Sequence, residues 1–291
     1  MKRLLPLLLC LCLCLAACGA QTPSLPAAEK PLPSASPVPA EPWPAVPIYR
    51  DGLLTLRGYD CEGELYVCPM ELCGLFGVSA EESVEPGGYR LRLPLWTLEA
   101  PADAEIYTAD GRYLYCPSGY RSLYNRVYFP ADVSERLFGV TLRFDGQRAE
   151  LDTSRFRLLK GGPSYYDTHF HADDLFWLSH IIYAEAHWET LAGQIGVGNV
   201  VLNRVKSDRF PQTVMAVVLD REHITQFDPV ESGDVTAEPD EQAMLAAYLC
   251  LEGYNTVGDS LYFVNPQLGD DRWFENALTP TVTIGHHVFY S

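Results

Sequence analysis

HIIYAEAHWETLAGQIGVGNVVLNRV, residues 180–205, places one carboxylate, Glu185, inside an otherwise apolar helical pattern. Ile181 and Ile182 stand four and three residues before it, so all three fall on one side of a helix. Reading back, DDLFWLSHIIYAEAHW (173–188) opens with an Asp cap. Leu175, Leu178, Ile181 and Ile182 follow at helical spacing. A carboxylate bordering that stripe is penalised in its charged form by burial. Held protonated, it can donate a proton to a leaving oxygen. From spacing alone, a simpler reading is an edge glutamate paired with a base such as Arg204.

Reading forward, TLAGQIGVGNVVLNRVKS (190–207) predicts a helix. Gly193, Gly196 and Gly198 on it let another backbone approach closely. PQTVMAVVLD (211–220) fits a short helix with Pro211 near its first turn. EPDEQAMLAAYLCLEGY (238–254) predicts a longer one with acidic residues at its start. LYFVNP (261–266) and VTIGHHVFYS (282–291) read as strands. Helices followed by a small sheet make this part α+β.

The amino-terminal end has a different character. MKRLLPLLLCLCLCLAACGA opens with Lys2 and Arg3, runs apolar and closes on small residues. A membrane span wants about 20 apolar residues, so this reads as an export signal over 1–17. The LAAC ending resembles the lipobox of bacterial lipoproteins. That resemblance implies cleavage before Cys18, lipid on Cys18, and a chain tethered outside the cytoplasmic membrane. Residues 18–47 are rich in Pro, Ala and Ser and too poor in large apolar side chains to pack a core, so they read as a spacer. The formal charge of −17 excludes nucleic acid as a partner, because phosphates would repel it. Setting aside Cys10, Cys12, Cys14 and Cys18 leaves Cys250, in an apolar helical pattern, and a cluster of Cys61, Cys68, Cys73 and Cys116. In an oxidising compartment that cluster suffices for two bridges of unknown pairing. Metal-ligand spacing is not found among the cysteines.

Between the spacer and the helical part lies a first folded domain, 48–153. LYVCPMELCGLFGVS (65–79) aligns without gaps on VYFPADVSERLFGVT (127–141). Each copy predicts a strand, a short helix with Gly77 or Gly139 as its C-cap, and another strand. TLRFDGQRAELD (141–152) predicts a hairpin turning at Asp145-Gly146. The repeat resembles the N-terminal-like domain of copper amine oxidases. It implies no copper chemistry here, since the segment lacks histidine. Wall attachment and a purely structural spacer both fit it.

IIYAEAHWETLAGQIGVGNVVLNRVKSDRFPQTVMAVV, then QFDPV, LYFVNP and IGHHVFY, in that order from Asp174 to Ser291, closely resemble the SleB-type cell wall hydrolases, the spore-cortex-lytic enzyme family. The resemblance implies a lysozyme-like catalytic domain over 173–291, reached through a linker at 154–172, that cleaves peptidoglycan glycan strands as a lytic transglycosylase. Glu185, the Glu of YAEA, is then the catalytic acid and base, with no cofactor or metal. Glu189, Gln226, Phe227, Tyr262 and Asn265 would line the cleft. Glu189, about one helical turn from Glu185, is also the rival second carboxylate of a two-carboxylate hydrolase. The chain departs from the family in having His187-Trp188 after YAEA and His286-His287 near the end; a Trp beside the acid either narrows the cleft or adds a stacking platform. HFHADD (169–174) reads as solvated linker rather than a metal site. The contrasting class of function is a catalytically silent, membrane-tethered lipoprotein that only binds the wall.

Overall fold

The computed structural model describes residues 42–160, 171–220, 234–268 and 277–291. Export signal, Cys18 and nearly all of the spacer lie outside them, as do Gln226 and Phe227. Residues 41–291 form one compact unit.

Its first part is built on two sheets. Strands β1 (Ala45–Arg50), β2 (Leu53–Cys61) and β3 (Glu64–Val67) lead into helix α1 (Pro69–Phe76). A five-stranded antiparallel meander follows: β4 (Glu81–Glu85), β5 (Gly88–Arg92), β6 (Thr97–Pro101), β7 (Ile106–Ala109) and β8 (Arg112–Tyr115). The chain returns through β9 (Arg121–Leu123), β10 (Arg126–Pro130), α2 (Ala131–Phe138), β11 (Thr141–Phe144) and β12 (Ala149–Asp152). These complete a seven-stranded sheet in the order β11-β12-β1-β2-β3-β10-β9. β1 begins inside the expected spacer because Val46 and Ile48 alternate into the core.

Both copies of the repeat form a strand and a short helix, β3–α1 and β10–α2, whose strands pair antiparallel, Phe129 opposite Val67. The strands that follow differ: β4 joins the five-stranded sheet and β11 the seven-stranded one. Gly77 and Gly139 end the two helices in the left-handed conformation, at φ 65° and 60°. The 141–152 hairpin turns as expected, with Asp145 Oδ1 accepting from the amides of Gln147 and Arg148. The four clustered cysteines form no bridge with one another. Cys61, Cys68, Cys73 and Cys116 are buried thiols used as packing groups, with Cys61 and Cys68 among Tyr59, Tyr66 and Tyr128, and the other two in the main β core. Burial pushes the thiols of Cys61 and Cys73 up to about 11 and that of Cys116 to about 12.

The second part packs helices α3 (Ala172–Ala186), α4 (Leu191–Lys206), α5 (Val214–Val218) and α6 (Glu241–Leu251), with a short 3₁₀ turn at Asp234–Thr236. An antiparallel sheet of β13 (Tyr262–Val264), β15 (His287–Tyr290) and β14 (Pro280–Ile284) closes it, β15 central. The fold is α+β as expected, with four local corrections. α3 is capped at His171, whose amide donates to Asp174 Oδ2 at 2.7 Å, rather than by Asp173. Pro211 lies ahead of α5, which Thr213 caps. VTIGHHVFYS is not one strand but a hairpin, breaking at Gly285-His286 where Gly285 takes φ +59°. The glycines of α4 admit side chains, not a backbone. A Cβ at Gly198 would meet Cys250 Sγ at 2.6 Å, and one at Gly196 would meet Phe289 Cζ at 2.7 Å.

The two parts are packed on each other. Tyr115 of β8 joins the helical core, edge-on to Tyr254 with ring centroids 6.0 Å apart. The Arg136 guanidinium lies 3.7 Å over the Tyr254 ring and donates to the carbonyls of Glu252 and Gly253.

Candidate active site

Glu185 occupies the last turn of α3. Leu178, Ile181 and Ile182 bury one side of this helix, packed with α4 and α6. Glu185 follows that stripe to where the helix runs out, so the side chain is half-buried and its Oε1 is fully covered. The edge placement read from the sequence holds.

Arg204, near the end of α4, is buried and lies within electrostatic reach of Glu185. Its Nε donates to the Leu261 carbonyl at 2.8 Å, and its guanidinium faces the rings of Phe210 and Tyr262 at 5.3 and 5.7 Å. Desolvation lowers its pKa to about 10, against the pull of Tyr262, Asp220 and Glu185. It stays a cation at neutral pH, placed to favour negative charge on Glu185 once a proton has left.

Glu189 lies just ahead of α4, the second helix that the sequence predicts. It is not one turn on along the same helix, because α3 ends at Ala186 and α4 begins only at Leu191. Glu189 sits in the intervening turn, next to Thr190, which caps α4 by accepting from the Gly193 amide. Only 9% of Glu189 is exposed. Its carboxylate receives the His286 backbone amide at 3.2 Å on Oε2 and faces His286 Nδ1 at 2.9 Å on Oε1. Its own carbonyl accepts from Gln242 Nε2 of α6. A Cβ at Gly285 would run into Oε2, so the hairpin turn reaches the carboxylate only because residue 285 is glycine. Glu189 therefore fastens the α3–α4 turn to the β14–β15 turn. Sequence reading missed this partnership because it merged β14 and β15; the Gly-His pair amid β-branched residues was the signal available.

The other expected residues are less committed. Tyr262 is buried on β13, its hydroxyl receiving Arg209 Nη2 at 2.6 Å. Asn265 is partly exposed and turns the chain after β13, its Oδ1 accepting from the Gln267 amide. His287 is buried against Phe263 at 5.0 Å, and burial pushes its imidazole pKa down despite nearby Glu189. Trp188 does not close over the acid; it is 86% exposed. Among the described residues no cluster of His, Cys, Asp and Glu is arranged to hold a metal.

Residues 188–290 match the family model described as Cell Wall Hydrolase; the matched segment opens just after Glu185. Among curated proteins, the spore cortex-lytic enzyme of Bacillus cereus is 31% identical over 118 residues, 40% of this chain and 44% of that protein. The spore cortex-lytic enzyme of Bacillus subtilis is 30% identical over 121 residues, 41% of this chain and 38% of that protein. The chain thus spans less than half the length of these relatives. Among solved structures, the catalytic domain of the germination-specific lytic transglycosylase SleB from Bacillus anthracis is 29% identical, covering 43% of this chain and 98% of that one at a TM-score of 0.39. The SleB catalytic domain of Bacillus cereus is also 29% identical, covering 45% and 99% at the same TM-score.

Proposed function

We propose that the carboxy-terminal part cleaves peptidoglycan glycan strands between N-acetylmuramic acid and N-acetylglucosamine, with Glu185 as general acid and then general base. The similarity to cell wall hydrolases supports this substrate class. The observation that carries the mechanism is the contrast between two carboxylates: Glu185 half-buried at a helix end, and Glu189 sequestered by His286.

Protonated Glu185 donates to the bridging oxygen as the bond to the muramic anomeric carbon breaks. An oxocarbenium-like state develops on that sugar. The resulting Glu185 carboxylate, favoured by the Arg204 cation, takes the proton of the same sugar's C6 hydroxyl. That oxygen closes on the anomeric carbon and leaves a 1,6-anhydro end. The nucleophile is intramolecular, so no second carboxylate has to activate water. Glu189, already holding a backbone amide, serves this chemistry by fixing the turn behind Glu185.

The test is digestion of purified cell wall by the wild type and Glu185→Gln. The amide keeps the shape but cannot cycle a proton, and loss of that help costs about 10²- to 10⁴-fold in rate. Release of soluble fragments at near wild-type rate by the variant would sink the assignment. The silent wall-binding alternative gains nothing from Trp188, which faces solvent.

We also infer an extracytoplasmic chain held to the membrane by lipid on Cys18. The support is the LAAC motif followed by a proline-rich spacer; stable anchoring by acyl chains takes more than one of them. Labelled fatty acid should mark the wild type and not Cys18→Ala, and an unlabelled wild type would refute the anchor.

A further inference from the structure

Trp188 is the feature of this region that the mechanism leaves unused. Eighty-six per cent of it is exposed, although an indole gains from burial more than almost any side chain. Its position is fixed from below. His187 keeps right-handed helical dihedrals, φ −62° and ψ −18°, so helical spacing continues one residue beyond α3. Trp188 then stands three residues after Glu185 on the same side, with Cβ atoms about 5–6 Å apart. The ring is not loose: its centroid lies 4.4 Å from that of the His187 imidazole, which in turn lies tilted at 5.1 Å from Tyr183. His187 Nδ1 is in turn 2.9 Å from the Tyr183 carbonyl. Three rings in sequence support one open aromatic face beside the acid.

A core role is excluded by the exposure, and the indole itself does not close over Glu185. What suits such a face is a ligand that is flat and apolar on one side and polar at its rim. A pyranose ring has that form, with C–H bonds on its face and hydroxyl and acetamido groups around its edge. We infer that Trp188 is a stacking platform for the N-acetylated sugar flanking the bond that Glu185 protonates, and so a specificity-determining residue of this chain. The ligand class rests on the glycan-cleaving function proposed above; the platform itself rests on exposure, spacing and the ring stack.

The test uses the full chain and peptide-free glycan strands prepared from peptidoglycan. In a Glu185→Gln background, which does not cut, Trp188→Ala should weaken strand binding about tenfold, the scale of an aromatic hot spot. Trp188→Phe should recover part of it and should lose the strand-induced change in tryptophan fluorescence. In the active background, Trp188→Ala should raise KM about tenfold and leave kcat within about threefold. A wild type that cuts the wall, with Trp188→Ala matching its KM and strand affinity, overturns the platform and leaves the enzyme reading intact. A wild type that fails to cut, with Trp188→Ala binding strands more weakly, overturns the enzyme reading and leaves the platform.

Discussion

At the scale of single residues, burial and bonding give two glutamates four positions apart different surroundings. Glu185 keeps access to solvent with one oxygen covered, which suits the proton donor proposed above. Glu189 has given its lone pairs to a turn, and an acceptor fixed to a backbone amide makes a poor base for water. Gly285 is the residue on which this division depends, since it combines a left-handed φ of +59° with contact against Glu189 Oε2. Gly285→Ala should therefore cost about 2–4 kcal/mol, from backbone strain plus disrupted hydrogen bonds to a buried carboxylate. Denaturant titration reads this directly, and an unchanged midpoint would show that the carboxylate is not held there.

Among the elements, the sequence was most legible where period and punctuation agreed. Leu178, Ile181 and Ile182 marked the buried face of α3, and the doubled LFGV marked two helices ended by Gly77 and Gly139. Asp145-Gly146 marked its hairpin. Legibility failed where one local signal had two tertiary solutions. VTIGHHVFYS is β-prone throughout, and only its pairing with β13 on one side and back on itself on the other shows a turn inside it. The break between the two predicted helices falls at EAHWET, where Thr190 caps α4 and sets Glu189 in the turn. The glycines of α4 signalled close packing, but Cys250 and Phe289, the groups that fill the space, come from distant elements no local pattern names. Cysteine spacing left bridging open for a related reason: burial among aromatic rings consumes a thiol as readily as a bridge does.

For the whole molecule, residues 41–291 act as one body, with Arg136 and Tyr115 of the first part seated on Tyr254 of the second. The repeat-bearing part thus supports the helical part directly. No helix among the described residues is long and apolar enough to cross a membrane. The central claim is that one glutamate cuts a glycan strand through the sugar's own hydroxyl. Mass analysis of the fragments released from cell wall in ¹⁸O-labelled water tests it most directly. The account predicts muramic ends lighter than reducing ends by one water and free of ¹⁸O. Mainly reducing, ¹⁸O-labelled ends would contradict it and would bring a second carboxylate back into the chemistry.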